Sequence, residues 1–516
     1  MRVEQVTGAS IAPLESWTAV HPAAAAAARG EIDLAAVSSQ AMPRLPSLAE
    51  ALSVANRSWG NPVDGELSRW LAGADVVVTG QQPGLLGGPL LTLVKAAAVE
   101  AEVRRLRETG QEAVGFLWLA TGDDDLPEMG WGRVVAGEDV LEVREPGWER
   151  GVKLGGCAPL SGACAAFLEG LRGRLPGGNA ATAIELATSC YTPGATLGEA
   201  SARFLARLLA GSGVVLVDAL EPEVARAAAP VVQRVLSELP ACWEALEAGT
   251  ERFRARGWSV PLRIASHKLP VFRRQGERRE SVPTSRKSCP TAVLEELVSH
   301  PNRFLPNAWL RPLAQDTALG ASVAILGGTE LAYHVQTAGV RPVAGIGHPR
   351  WTLRPHVTVV TSAERRLARQ MGVGPEHLLR PQPPLAALPG KVTRRRLERL
   401  HTAIGKQVGE FEKAARAELP ALGGDVEATA KKLEAVLAWL DGRVTAAATR
   451  DAEVELGRWR RLRAFLRPEG APQERHLSVL APLLRLGLEW PRQLAAGLDR
   501  SHRGMQFLFW EEGGQW

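Results

Sequence analysis

The stretch ADVVVTGQQPGLLGGPLLTLVKAAAVEAEVRRLRETG, residues 74–110, decides the fold. Its opening, ADVVVTG (74–80), is short, apolar, β-branched and stopped by glycine, which is the pattern of a strand buried on both faces. A Gly/Pro turn follows. LLTLVKAAAVEAEVRRLRETG (90–110) is then apolar on one face and closed by Gly110, a helix with a C-cap signal. AVGFLWLAT (113–121) is a second fully apolar strand, ending at GDDDLPE (122–128). A strand–helix–strand crossover makes the two strands parallel.

The alternation returns further along. TLGEASARFLARLLAGSG (196–213) reads as helix, VVLVD (214–218) as strand and EPEVARAAAPVVQRVLSEL (221–239) as helix. SVAILGG (322–328) is again strand then glycine turn, and TELAYHVQTAG (329–339) a helix. This order predicts an α/β protein with a doubly wound parallel sheet. Residues 130–195 and 245–300 break the alternation and read as insertions. From 391 the character changes: Leu397, Leu400, Ile404, Val408, Phe411 and Ala415 recur at three and four residues, as do Leu433, Leu437, Leu440 and Val444. Leu456, Trp459 and Leu462 continue the pattern among dense charge. An antiparallel helical arm with a coiled-coil seam fits it; amphipathic helices packed on the core are the alternative. The expected organisation is a core over 1–385 with its insertions, the arm over 391–466, and a segment 472–516 packing back on the core. There MQFLFW (505–510) is a candidate closing strand.

Bulk composition narrows the class. Hydrophobic residues make up 45% and charged residues 23% of 516, ordinary globular values. No apolar run approaches the roughly 18 residues that cross a bilayer. The alanine run 23–28 ends at Arg29 and reads as helix. Five cysteines (157, 164, 190, 242 and 289) lack metal-ligand spacing and fit a reducing compartment, so a cytoplasmic, membrane-free protein without a metal cluster is expected. The net charge of +5 is uneven: residues 252–287 hold eleven Lys or Arg against Glu277 and Glu280. That stretch is an anion-attracting surface or a solvated basic loop. Trp258 and Phe272 are among its few aromatics, poor interleaving for base stacking, so nucleic acid is not the expected partner.

Three polar turns follow predicted parallel strands, the side where open α/β sheets bind ligands. The first carries Thr79, Gly80, Gln81, Gln82, Gly84, Gly88 and Thr92, with Lys95 one turn into the helix; free N–H groups at a helix start bind anions. It is neither a Walker A loop nor G-x-G-x-x-G. The second holds Asp123, Asp124 and Asp125, adjacent carboxylates that need Mg²⁺, a substrate amine or water to relieve their repulsion, unless one of them caps the next turn. Arg311, Gln315 and Asp316 lie close to the third, Gly327-Gly328, whose helix opens with Glu330 and Tyr333. Arg311 can grip a carboxylate through two parallel hydrogen bonds, or form a buried pair with Asp316. His348 is a second-rank candidate.

TGQQPGLLGGPLLTLVKA, WLATGDDD, LRPLAQD and ILGGTELAYHVQ resemble, in this order, the signature segments of the bacillithiol biosynthesis cysteine-adding enzymes, the BshC family of cysteine ligases. TLGEASARFLARLL, GVVLVD and PQERHLSVLAPLLRLG extend the similarity over most of the chain. The resemblance implies a Rossmann-like core with connecting insertions and a C-terminal coiled coil that forms a homodimer. It implies amide formation between cysteine and glucosaminyl-malate, with ATP and Mg²⁺ the usual means of activating the carboxyl. Lys95, Asp123, Asp125 and Arg311 are then the expected catalytic groups, and the other turn residues the substrate or nucleotide contacts. Two departures stand out: the family pattern has histidines where this chain has Val94 and, within the acidic run, Asp124. They leave open a non-catalytic or altered-specificity relative that binds a nucleotide or metabolite.

Overall fold

The computed structural model describes residues 4–5, 20–36, 43–175, 177–284, 288–381, 390–498 and 505–509. The parts of the expected N-terminal, basic and C-terminal segments that fall elsewhere, Arg286, Lys287 and Trp510 among them, lie outside the described residues. The chain forms two compact units, Met1–Ser362 with Ala471–Gln515, and Ala363–Gly470.

The first unit is built on five parallel strands: β1 (Asp75–Gln81), β2 (Ala113–Leu119), β3 (Val214–Asp218), β4 (Val323–Leu326) and β5 (Arg350–Leu353). Their order is β5–β4–β1–β2–β3, all neighbours parallel. This is the Rossmann arrangement, in which the chain starts in the middle and winds outward in both directions. Side chains alternate across it. Val76, Val78, Phe116 and Trp118 pack with Leu48, Leu52, Leu67 and Trp70 from the helices Pro46–Trp59 and Asp64–Leu71. The helix Leu91–Glu108 covers the opposite face. There Gly115 is required for close approach, because a Cβ on it would stand 2.5 Å from Val99 Cγ1.

The expected β1–helix–β2 unit and the strands at 214–218 and 322–328 match these elements, with ends shifted by a few residues. The insertions prove structured. The first holds the hairpin Trp131–Ala136/Asp139–Arg144 and the helices Ala163–Arg174 and Gly178–Cys190. The second, basic one holds the hairpin Lys268–Gln275/Arg278–Pro283 and the helix Thr291–Ser299. The strand Met505–Phe509 does not close the main sheet. It pairs in parallel with His356–Val360 in a separate three-stranded sheet. None of the five cysteines is in a disulfide. No helix among the described residues is long and apolar enough to cross a membrane.

The second unit is dominated by the helices Lys391–Glu418 and Gly423–Leu466, which pack together across the short turn Pro420–Leu422. Forty-four residues make the second helix about 66 Å long. The helix Ser362–Met371 belongs almost wholly to this unit, so the boundary falls earlier than the sequence suggests. The seam is half satisfied within the chain. Leu397 and Ala415 are buried, whereas Leu400 and Phe411 (62%) of the seam are left exposed, as are Val436 (60%) and Trp439 (66%) beside it.

Candidate functional site

Rossmann order reverses direction between β1 and β4, and the crevice beyond their C-terminal ends is where such sheets take ligands. A cleft of about 500 Å³ lies there. It gathers Gly80, Gln81, Gln82, Gly84, Gly88 and Lys95 from the first turn, Asp123 from the second, Gly327, Gly328, Glu330 and Tyr333 from the third, and Arg311 from the start of the helix Arg311–Leu319 that precedes β4. Lys95 and Glu330, 235 positions apart in the chain, thus share one cavity because the winding brings three strand ends together.

Not every candidate reaches it. Thr79 is buried between strands, its hydroxyl donating to the Ile325 carbonyl at 2.7 Å. Thr92 is fully buried behind the glycine loop. Gln315 backs Gly80, with Oε1 3.3 Å from where a Cβ on that glycine would stand. Asp316 is buried and paired with Arg341 at 2.6 Å, so the pairing with Arg311 considered from the sequence does not form. His348 stacks on Trp351, centroids 4.1 Å apart. None of these five lines the cleft.

The glycine loop is held in an uncommon shape. Leu86 has φ 54°, and Gly87 and Gly88 follow at 86° and 72°. At Gly87 a Cβ would meet Val479 at 2.6 Å, so glycine is needed there for both backbone and space. Two hydroxyls pin the turn from beneath. Tyr191 donates to the Gly84 carbonyl (2.9 Å) and accepts from Gly87 N–H (2.7 Å), and Ser201 accepts from Gly84 N–H (3.0 Å). Burial pushes the Tyr191 phenol far up, so it stays protonated. Sequence reasoning misses Tyr191, although the chain has two tyrosines and the other, Tyr333, lines the cleft.

Lys95 joins β1 to the third turn. Its ammonium donates to the Gly80 carbonyl (2.7 Å), Gln81 Oε1 (3.1 Å) and Glu330 (2.8 Å), which occupies all three protons. Glu330 in turn accepts from Gly327 N–H at 2.6 Å. Burial works to raise the Glu330 pKa, but Lys95, the Gly327 amide and Arg311 outweigh it and hold the carboxyl below its ordinary value. For Lys95, burial dominates and lowers the pKa despite Glu330.

The Asp cluster is relieved by arginines. Arg279, from the basic hairpin, donates to Asp123 (3.1 Å) and Asp124 (2.5 Å) and to the Gly122 carbonyl (3.0 Å). Asp125 pairs with Arg150. Neither Asp124 nor Asp125 lines the cleft, and no grouping of three or more His, Cys, Asp or Glu suited to a metal stands among the described residues. Fixed cations from the insertions thus bond all three carboxylates, whose repulsion the sequence left to Mg²⁺, an amine or water to relieve. The stretch read as an anion-attracting surface or wet loop contributes one of them. Val94, at the first departure from the family pattern, is fully buried and away from the cleft lining.

Among the described residues, four cations and three anions line the cavity: Lys95, Arg311, Arg354 and Arg475 against Asp123, Glu128 and Glu330. Arg354 is held by a two-pronged bond to buried Glu474 (2.7 and 2.8 Å), which also accepts from Val357 N–H (3.0 Å). Arg311 and Arg475 have no carboxylate partner among the described residues. Arg311 keeps one polar side-chain contact, the Tyr333 hydroxyl at 3.2 Å. Burial alone would lower its pKa, yet Tyr333, Glu330 and Asp123 raise it, so it is a permanent cation. Tyr333 itself is pushed up to about 12 by burial and stays neutral. Two unspent guanidinium groups beside the start of the helix Gly328–Thr337 make a strong anion site. Glu474 and Arg475 sit in the PQERHLSV segment, which in the sequence signals resemblance and not chemistry.

Two family models match the chain: bacillithiol biosynthesis BshC, N-terminal Rossmann-like domain, over residues 31–355, and bacillithiol biosynthesis BshC, C-terminal coiled-coil domain, over 390–510. Curated relatives carry the name "Putative cysteine ligase BshC". One from Thermus thermophilus is 30% identical over 479 residues, 88% of this chain and 92% of the relative. That of Solibacter usitatus is 27% identical over 456 residues, 85% of each. A Bacillus cereus relative is 24% identical over 445 residues, 80% of this chain and 81% of its own length.

Proposed function

The chain belongs to the bacillithiol biosynthesis BshC family, and from that membership we propose that it is a cytoplasmic ligase joining the carboxyl of cysteine to the amine of glucosaminyl-malate. The observation that carries this reading is the pair of cleft arginines, Arg311 and Arg475, without carboxylate partners beside a helix N-terminus and sharing the cavity with Asp123. An amino acid needs a fixed anion for its ammonium and a fixed cation for its carboxylate, and the malate of the acceptor needs further cations, of which the cleft holds Arg354 and Arg475. The cleft supplies both within about 500 Å³.

ATP would supply the phosphoryl or nucleotidyl group that activates the cysteine carboxyl. The N-terminus at Gly328 and Thr329 with Arg475 fits its phosphates. Asp123 and Asp124 do not suit a protein-held Mg²⁺, because Arg279 already bonds both. The residues at hand bind and orient: Arg311 holds a carboxylate, Asp123 an ammonium, and Lys95 with Glu330 ties the first turn to the third. With cysteine, glucosaminyl-malate and ATP, the amide-linked product is expected by mass spectrometry. Absence of product with ATP and with preactivated cysteine alike would sink the reading.

We also propose a homodimer through the helical arm. Phe411, Val436 and Trp439 expose apolar surface that a second copy would cover. The full chain should sediment at twice its monomer mass, and Val436→Asp with Trp439→Asp should shift it to monomer. Unchanged sedimentation of that variant would refute the arm as the interface.

A further inference from the structure

A second chamber adjoins the polar cleft. It encloses about 280 Å³ and shares Ala120, Asp123 and Arg311 with it. Its walls are mostly apolar, Trp118, Leu220, Phe272, Leu305 and Trp309 among the lining residues, with Asn302 and Asn307 as uncharged polar groups. Among the described residues, the charged groups on the wall are Asp123, Arg263, Arg279 and Arg311. Arg279 is spent on the Asp cluster and lies over the Phe272 ring at 4.4 Å.

The two shared charges are of opposite sign, and each has bonding capacity left. A carboxylate offers about four acceptor positions. Asp123 uses three, for Arg279, the Asp124 amide and Gln82 (2.8 Å). Arg311 has five N–H donors and one polar side-chain partner among the described residues. An anion and a cation side by side at the mouth of an apolar hole match an α-amino acid: ammonium to Asp123, carboxylate to Arg311, side chain inward.

We propose that this chamber is the amino-acid subsite of the ligase, and that it admits apolar side chains larger than that of cysteine. The inference rests on the ligase reading for its reaction and on the chamber for its specificity. Size decides the second part. A dry apolar cavity of roughly 150 Å³ already accepts benzene. A chamber of about 280 Å³ leaves a mercaptomethyl group with much empty wall. Each added methylene that fills such space contributes about fourfold in affinity.

The test is calorimetry on the full chain with free L-cysteine, L-alanine, L-methionine and 3-mercaptopropanoate. Methionine should bind roughly tenfold tighter than cysteine, and 3-mercaptopropanoate, which lacks the ammonium, should bind far more weakly than cysteine. Ala229→Leu narrows the chamber from the helix Pro222–Ser237; it should weaken methionine about tenfold and cysteine less than threefold. Methionine no tighter than alanine, or indifferent to Ala229→Leu, overturns the proposal. So does displacement of methionine by adenosine, which would assign the chamber to a nucleobase. These readouts need no turnover: amino-acid binding without any amide product leaves the subsite standing and fails the ligase reading. Product from cysteine without tighter methionine binding does the reverse.

Discussion

Replacing Arg311 by alanine is expected to lower kcat/KM for amide formation about 100-fold, most of it in KM. The guanidinium lies at the junction of the two chambers and has no carboxylate to satisfy it within the described chain. Loss of one side of a buried, hydrogen-bonded charge pair costs about 2–5 kcal/mol, and 100-fold corresponds to about 3 kcal/mol. Losing a grip that is equal in ground and transition states raises KM and leaves kcat nearly intact. Arg311→Lys keeps the charge but not the planar fork, so it should recover part of the loss. A folded Arg311→Ala protein within about fivefold of the original kcat/KM would remove Arg311 from the site.

Lys95→Met should lower folding stability by about 3 kcal/mol, and Lys95→Met with Glu330→Gln should recover most of that. The reason is the partner left behind. Glu330 is largely buried, and an unpaired carboxylate there costs more than the ion pair contributes over a neutral pair. Since all three ammonium protons are engaged, the substitution also frees Gly80 and Gln81, so turnover falls with stability. The pH dependence follows from the lowered Glu330 pKa. A carboxyl depressed on folding contributes stability that is fully present above its unfolded value, about 4.3, and is lost as pH falls through its folded value. The gap between the original protein and Lys95→Met should therefore be widest near neutrality and shrink below about pH 4. Urea unfolding at both pH values measures it. An equal gap at both, or a double variant no better than the single one, would contradict the pairing.

Residues 74–128 needed no tertiary information to read as strand, glycine turn, helix and strand. β-branched runs, a glycine stop and one apolar helix face act over a few residues, and each is written where it acts. The same holds for the arm, where apolar spacing at three and four marks both long helices. Parallel strands then oblige the polar turns to share one side of the sheet, which is why Gly80, Gln82, Asp123 and Glu330 could be grouped before their positions were known, whereas Arg311 joins them from the start of a helix.

Which charge meets which was decided by the tertiary structure. Arg279 reaches Asp123 across 156 residues, Arg354 reaches Glu474 across 120, and Tyr191 reaches Gly84 across 107. Asp316 takes Arg341 in preference to the nearer Arg311. No local pattern encodes such choices. A buried ion or hydroxyl must find a partner because leaving it unpaired is costly. The partner available depends on how the insertions and the C-terminal segment close over the sheet. The acidic turn therefore looked like a bare carboxylate cluster in the sequence, and in the fold two arginines from the insertions bond its three carboxylates.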